Sequence, residues 1–343
     1  MGILPFTSRI LLREHRHVPF AGNALLLGRQ MMFMTPKEAM RLLEEEGVAL
    51  RQDATPENKG LLDRRLPASI ARHWIGDAGF FSLFSDATFQ ALDVSDYEGA
   101  EIIHDLHKPI PEHLANSVDL IVDGSVLDNM FDPSMGIRNI ARMLKPGGRA
   151  ILQEHSTALA GSYSACSQAW YFDFFAINGF ADCKIYTCVF KHDDMFDGPY
   201  DLYTAVAPGA ATRSFPDSAS VMRKEYLSVV IAEKAATSTW DRLPIQVEYR
   251  PSDIPYVKAF DTFSASKRPF VMSPPATWAS KKDKLAARGI VKLGTLDGFP
   301  GLRFPPPPGP RTSNEWYKWA KKKIYGAMPW LLKFRLSLLR NKS

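Results

Sequence analysis

The sequence predicts an α/β fold, a mostly parallel sheet with helices on both faces, and three observations carry that prediction. Short, continuous apolar runs such as ALLLG (24–28), DLIVDG (119–124) and RAILQ (149–153) suit strands buried on both sides. Segments with apolar residues every three to four positions alternate with them. Pro and Gly fall between these segments rather than inside them.

The elements follow in order. Gly22–Gly28 reads as a first buried strand. Pro36–Glu46 reads as a helix, with Thr35 as N-cap, Pro36 in the first helical position and Gly47 ending it. Residues 51–67 are polar and predict an exposed excursion. Ile70–Phe84 suggests a helical stretch interrupted near Gly76 and Gly79. Strands are then expected at Phe89–Val94, Glu101–Leu106, Val118–Gly124 and Arg149–Gln153. A helix at Pro133–Leu144 carries Ile137, Ile140, Ala141 and Leu144 on one face, and the turn Lys145-Pro146-Gly147-Gly148 stops it. Ser167–Asn178 reads as another helix closed by Gly179, and Lys184–Phe190 and Tyr226–Ala232 read as strands.

With 343 residues, 45% hydrophobic and 23% charged, the chain has the make-up of a globular protein. Cys166, Cys183 and Cys188 are too few and too badly spaced for a disulfide framework or a zinc site. The eight histidines form no ligand constellation, since His104 and His107 lack a second pair, so no metal is expected. The apolar run Ile10–Leu12 is closed off by Arg9, Arg13 and Glu14, which argues against a signal peptide. With no run near the ~20 apolar residues of a membrane span, a cytoplasmic location is the expectation. The basic balance is local. Residues 311–343 hold nine Lys/Arg and one Glu, or +8 of the net +5, leaving −3 for residues 1–310. The pI of the whole therefore says nothing about the main domain's ligand, and no nucleic-acid partner is expected.

In a parallel sheet, ligands bind along the edge where the strands' carboxyl ends lie. The residues expected there are Asp93, Asp105-Leu106 and Asp123-Gly124. Asp93 suits ribose hydroxyls, although an Asp before Ser95-Asp96 also suits a turn. Asp105-Leu106 is placed to meet an adenine amino group and ring, or to begin the turn toward Pro109. Gly124 would let the backbone approach a ligand.

Taken together, ALDVSDYEGA (91–100), HDLHKPIP (104–111), VDLIVDGSVLDNMFDP (118–133) and ARMLKPGGRAIL (141–152) resemble, in order and spacing, the class I, Rossmann-like S-adenosylmethionine-dependent methyltransferases. The wording of LGRQ, SDYEGA and HDL is similar to a branch associated with bacterial surface-polysaccharide or small-molecule biosynthesis. The resemblance covers roughly residues 18–235. It implies S-adenosylmethionine as cofactor, held by Gly28, Arg29, Gln30, Asp93, Val94, Ser95, Asp105, Leu106, Asp123 and Gly124. One departure stands out: where the family carries a Gly-x-Gly-x-Gly loop, LLLGRQMM (25–32) has only Gly28. Arg29 could meet the methionyl carboxylate instead, or be solvated in a weakened site. The same loop argues against a nicotinamide cofactor, which wants G-x-G-x-x-G and an acidic residue about 20 positions on.

Transfer to oxygen or nitrogen needs alignment with the sulfonium methyl and often a base. His155 and Asp128 are the candidates, each with a structural alternative. Tyr163 and Trp170 fall where an acceptor would be covered, although Trp170, Phe174 and Ile177 also follow helical core spacing.

The domain expectation is a Rossmann-like methyltransferase domain over 1–235, a Pro/Ser/Thr-rich extension or lid over 236–310, and a basic amphipathic tail over 311–343. In the tail, Trp316, Trp319 or Ala320, Ile324, Ala327, Trp330 or Leu331, Phe334 and Leu338 recur at three- and four-residue steps, beside Lys318, Lys321, Lys322, Lys333 and Arg340. Residues 314–340 suit self-association, docking on the chain's own domain, or peripheral membrane contact. The functional expectation is methyl transfer to a small-molecule acceptor, with a saccharide as one class. The rival is a non-catalytic relative acting as an assembly or membrane-surface partner.

Overall fold

The Asn23–Leu27 run forms the first strand of a nine-stranded sheet, in a computed structural model that describes residues 2–51, 55, 59–63, 74–156, 162–191, 196–205, 224–265 and 289–298. These all belong to one unit, Met1–Leu66 with Ala71–Leu302. The basic tail expected over 311–343 lies outside the described residues.

The strands are β1 (Asn23–Leu27), β2 (Thr88–Asp93), β3 (Ile102–Ile103), β4 (Val118–Gly124), β5 (Leu144–His155), β6 (Asp182–Lys191), β7 (Tyr200–Ala205), β8 (Lys224–Glu233) and β9 (Ile290–Leu296). Their order across the sheet is β3-β2-β1-β4-β5-β8-β6-β7-β9. Pairings from β3 to β5 are parallel, and those from β5 through β8, β6 and β7 to β9 are antiparallel. Only β8 and β7 therefore oppose the common direction, which gives the mostly parallel, Rossmann-like sheet that the sequence predicts.

Strand residues alternate between two cores because successive side chains leave opposite faces. Leu26, Leu120, Val122, Ile151 and Val229 enter one core, with α1 (Pro5–His17), α2 (Pro36–Glu45) and α3 (Asp77–Ser82). Leu25, Ile121, Leu152 and Val230 enter the other, with α4 (Pro133–Met143), α5 (Gln168–Ile177) and α6 (Ile254–Ala265).

The helix starts are set locally. Thr35 and Glu38 close a capping box on α2, Asp132 caps α4 and Ser167 caps α5. Gly179 ends α5 with φ +66°, a left-handed conformation that suits glycine.

Several expectations change. The run Ile10–Leu12 with its flanking charges, read only as an interrupted apolar run, is part of α1, and the charges of Arg9 and Glu14 are buried against partners. Arg9 bonds Glu46 at 2.8 Å and Glu45 at 2.8 Å, and Glu14 accepts from Arg149 at 2.7 Å. The Lys145–Gly148 turn lies inside β5. Val118 pairs with Leu144 and Leu120 with Arg149, so the extra residues bulge out, with Gly147 at φ +78°. The third strand is shorter than expected, only Ile102–Ile103. Within the 51–67 excursion, Leu61 and Asp63 are buried. Two elements, α6 and β9, fall within the 236–310 stretch, and β9 pairs with β7. No helix among the described residues is long and apolar enough to cross a membrane.

Candidate active site at the carboxyl edge of the parallel strands

Leu92, Leu27, Asp123 and Leu152 lie in one register row across β2, β1, β4 and β5. The next residues, Asp93, Gly28, Gly124 and Gln153, therefore line up along the carboxyl edge. Chain order reverses there, since β1 has β2 on one side and β4 on the other, which opens a cleft in such sheets.

Gly28 turns with φ +66° and donates its N–H to the Leu92 carbonyl at 2.8 Å. A Cβ there would stand 3.4 Å from Asp93 Oδ2. Asp93 is partly exposed, and its Oδ1 accepts from the Val94 N–H at 2.6 Å. Val94 is exposed, and Ser95 accepts from the Tyr97 N–H at 3.4 Å. On the next loop Asp105 accepts from the His107 N–H and Nδ1, each at 3.0 Å, and these bonds hold its carboxyl below the usual range. Leu106 is buried, its carbonyl bonded by Asn139 at 2.9 Å.

The LGRQ loop is filled by its own side chains. Arg29 contacts the Gly99 carbonyl at 3.1 Å, pairs with Glu101 and lies 3.6 Å from Asp77. Its guanidinium is thus engaged by Glu101, Asp77 and the Gly99 carbonyl within the protein. Gln30 is fully buried. Its N–H donates to Asp77 at 2.7 Å and its amide to the Leu27 carbonyl at 2.6 Å. A Cβ on Gly124 would come within 2.2 Å of Gln30 Oε1, so the close approach that this glycine permits is Gln30's.

The residues after β4 and β5 form a tight network. Asp128 is fully buried. Its Oδ2 accepts from Ser125 Oγ at 2.6 Å, the His155 N–H at 2.9 Å and His155 Nδ1 at 2.5 Å. A carboxylate at Nδ1 places the imidazole proton there and leaves the Nε2 lone pair as the basic position. Among the described residues nothing bonds Nε2, and the side chain is 18% exposed. Ser125 holds φ +78°, an uncommon value for a residue with a side chain, and its hydroxyl lies 2.8 Å from His155 Nδ1. The two sequence candidates, 27 positions apart, are thus one hydrogen-bonded pair.

Beneath the pair lie two more carboxyls. Asp123, at the end of β4, accepts from the Val126 N–H at 2.8 Å, and burial pushes its carboxyl up to about 6. Glu154, fully buried, is raised well above the usual range by burial and by the Asp123 charge.

Tyr163 is 73% exposed and packs edge-to-face on Phe131, 81% exposed, with centroids 6.0 Å apart. Its N–H donates to the Asp128 carbonyl at 2.9 Å, which fixes it beside the pair. The Phe131 N–H donates to His107 Nε2 at 3.2 Å, tying it to the Asp105 loop. Trp170 is only partly buried and packs edge-to-face on the buried Tyr171. Among the described residues no His/Cys/Asp/Glu group could hold a metal ion.

The sequence reading missed Ser125, Glu154, Phe131 and Gln153. Ser125 follows the strand-ending Asp-Gly, and Glu154 precedes His155, so adjacency to candidates was the available signal. Gln153 had none. Its amide bonds the Leu4 N–H at 2.9 Å and the Gly2 carbonyl at 3.1 Å, holding the start of the chain over the sheet edge.

Residues 86–152 match the family model of a methyltransferase domain. No curated protein matches the chain in sequence. Among solved structures, the CMeT domain of the citrinin polyketide synthase is similar, at 12% identity and TM-score 0.34, over 67% of this chain and 52% of that one. The Haemonchus contortus phosphoethanolamine N-methyltransferase 2 with S-adenosyl-L-methionine aligns at 11% identity and TM-score 0.34, over 68% and 54%. The trans-methyltransferase CalH with SAH aligns at 15% identity and TM-score 0.31, over 66% and 55%. The chain thus spans about half the length of each of these three.

Proposed function

We propose that this chain is an S-adenosylmethionine-dependent methyltransferase acting on a small-molecule acceptor, with His155 as the base and Asp128 orienting it. The observation that carries the reading is the His155–Asp128 pair, set on the same carboxyl edge as the Gly28 turn and Asp93.

The nucleoside end of the cofactor fits the residues present. Asp93 is partly exposed beside Gly28, whose φ of +66° favours glycine, and Asp105 and Leu106 follow on the next loop. Asp93 would accept the ribose hydroxyls, with Asp105 and Leu106 meeting the adenine. When bound, the cofactor supplies a sulfonium methyl that passes to the acceptor and leaves a neutral thioether. The protein's part is at the acceptor. Nε2 of His155 takes the proton from the acceptor's O–H or N–H as the new bond to the methyl carbon forms. Asp128 keeps the proton on Nδ1 and stabilises the imidazolium that results. The exposed rings of Phe131 and Tyr163 offer apolar faces to an acceptor, and a saccharide or planar ring suits them. A place in surface-polysaccharide biosynthesis rests on the sequence resemblance of the LGRQ, SDYEGA and HDL segments.

A specific observation favours a second reading, in which the chain binds cofactor weakly and serves as a partner protein. Gln30 fills the space beside Gly124, and Arg29 is already paired with acidic residues where the methionyl group would need donors. Thermal-shift titration with S-adenosylmethionine and S-adenosylhomocysteine separates the two. A saturable rise in Tm that Asp93→Ala abolishes supports the enzyme. No rise with either ligand, in a folded sample, supports the partner protein.

A further inference from the structure

Three consecutive backbone N–H groups after β4 end on buried carboxyl groups. Val126 donates to Asp123 Oδ1 at 2.8 Å, Leu127 to Glu154 Oε1 at 3.3 Å and Asp128 to Glu154 Oε2 at 2.9 Å. The last two belong to the short 3-10 turn Leu127–Asn129 that carries Asp128, and Val126 is its N-cap. Glu154 therefore grips the backbone of the residue whose side chain meets His155 Nδ1 at 2.5 Å. Glu154 also precedes His155 on β5, so one strand sets both ends of the contact.

We propose that Glu154 is a positioning residue for the His155–Asp128 pair and does this as the neutral acid, with one proton shared between Glu154 and Asp123. The proposal concerns the geometry of the pair and extends the enzymatic reading above.

The charge balance supports it. Asp123, Asp128 and Glu154 are each 0–1% exposed. Among the described residues no Lys or Arg pairs with any of them. The titratable groups around Glu154 are Asp123 on β4, Asp128 on the turn, His155 on β5 and Tyr171 on α5, with Cys166 next to Tyr171. His155 compensates the charge of Asp128 only in part, through its Nδ1 hydrogen. Two further bare carboxylates held on consecutive N–H groups of one turn, out of water and without a cation, would repel strongly, and one proton between them removes that cost. The neutral acid still offers both oxygens to the Leu127 and Asp128 N–H groups. Loss of the shared proton would put a second charge beside Asp128 and drive the turn away from His155.

The test reads the geometry directly and needs no acceptor or cofactor. The Nδ1 proton of an imidazole bonded to a buried carboxylate gives a far-downfield 1H NMR signal, assigned here by its loss in His155→Gln. Glu154→Gln mimics the neutral acid and is expected to keep the signal, and to keep it at alkaline pH where wild type loses it. Glu154→Ala is expected to lose the signal while amide dispersion shows a folded protein. The proposal is overturned if the signal persists unchanged in a folded Glu154→Ala. It is also overturned if wild type and Glu154→Gln share one pH course, a comparison that stands even where the alanine variant does not fold. Failure of the enzymatic reading shows separately, as no thermal shift with S-adenosylmethionine.

Discussion

The two halves of the sheet are built from similar apolar residues and do different work. From β3 to β5 the pairings are parallel, each strand returns through a crossover, and the carboxyl ends gather Gly28, Asp93, Asp123 and His155 on one edge. From β8 to β9 the pairings are antiparallel, so successive strand ends face opposite ways and no edge collects. There the polar groups are spent on support. Lys184 bonds Asp182 at 2.9 Å, and Thr204 bonds the Ile185 carbonyl at 2.8 Å. The β6–β8 register runs unbroken over ten residue pairs, from Asp182 to Lys191. The lesson is that strand direction, more than composition, decides where a site can form.

That contrast can be broken at several points. The largest effect is expected at the base. His155→Gln should lower methyl transfer about 10²- to 10⁴-fold while leaving the S-adenosylmethionine thermal shift intact. A cofactor-dependent rate near wild type would move the chemistry elsewhere. In the antiparallel half, Leu227→Ala empties a fully buried position on β8 and should cost about 2–5 kcal/mol in urea unfolding. The affinity of the folded protein for cofactor should stay the same, and a selective loss of affinity would erase the division between the halves. Asp93→Ala should remove the ~2.7 kcal/mol that ligand at about 100 times its Kd adds to stability. The readout is Tm with and without ligand.

A fourth prediction follows from Asp123, raised from 3.8 to about 6 by burial. The folded state then binds more protons than the unfolded state above pH 4, so stability falls as pH rises from about 4 to about 6. The slope from one proton is at most about 1.4 kcal/mol per pH unit. Asp123→Asn should flatten that part of the curve in denaturant titrations across pH. The smallest effect is expected away from both regions. Thr35→Ala opens the capping box of α2 and should cost about 1 kcal/mol, with no change in ligand binding.

What was legible depended on how local the cause was. The α2 start at Thr35, the β4 run and the left-handed Gly179 each follow from a few neighbouring residues. By contrast, α1 starts without a side-chain cap at Leu4, and its Arg9 and Glu14 look like interruptions until Glu46 and Arg149 neutralise them. The alternation in YDLYTA of β7, with every second residue buried, is by contrast a local strand signal. The LGRQ loop shows the limit most clearly. The sequence exposed the missing glycines and suggested a ligand for Arg29, but only packing revealed Asp77 and Glu101 around that guanidinium.

By itself, then, the sequence determined the α/β class, most strand and helix positions, and the acidic residues at strand ends, because periodicity, caps and turn residues act over a few positions. The tertiary structure alone decided that Ser125, Asp128 and His155 meet, that Gln30 fills the space beside Gly124, and that Glu154 lies under the turn. These contacts join residues brought together only by β4–β5 pairing and by closure of the sheet edge. Burial then makes a lone carboxyl costly and a shared proton favourable, a choice that no local pattern encodes.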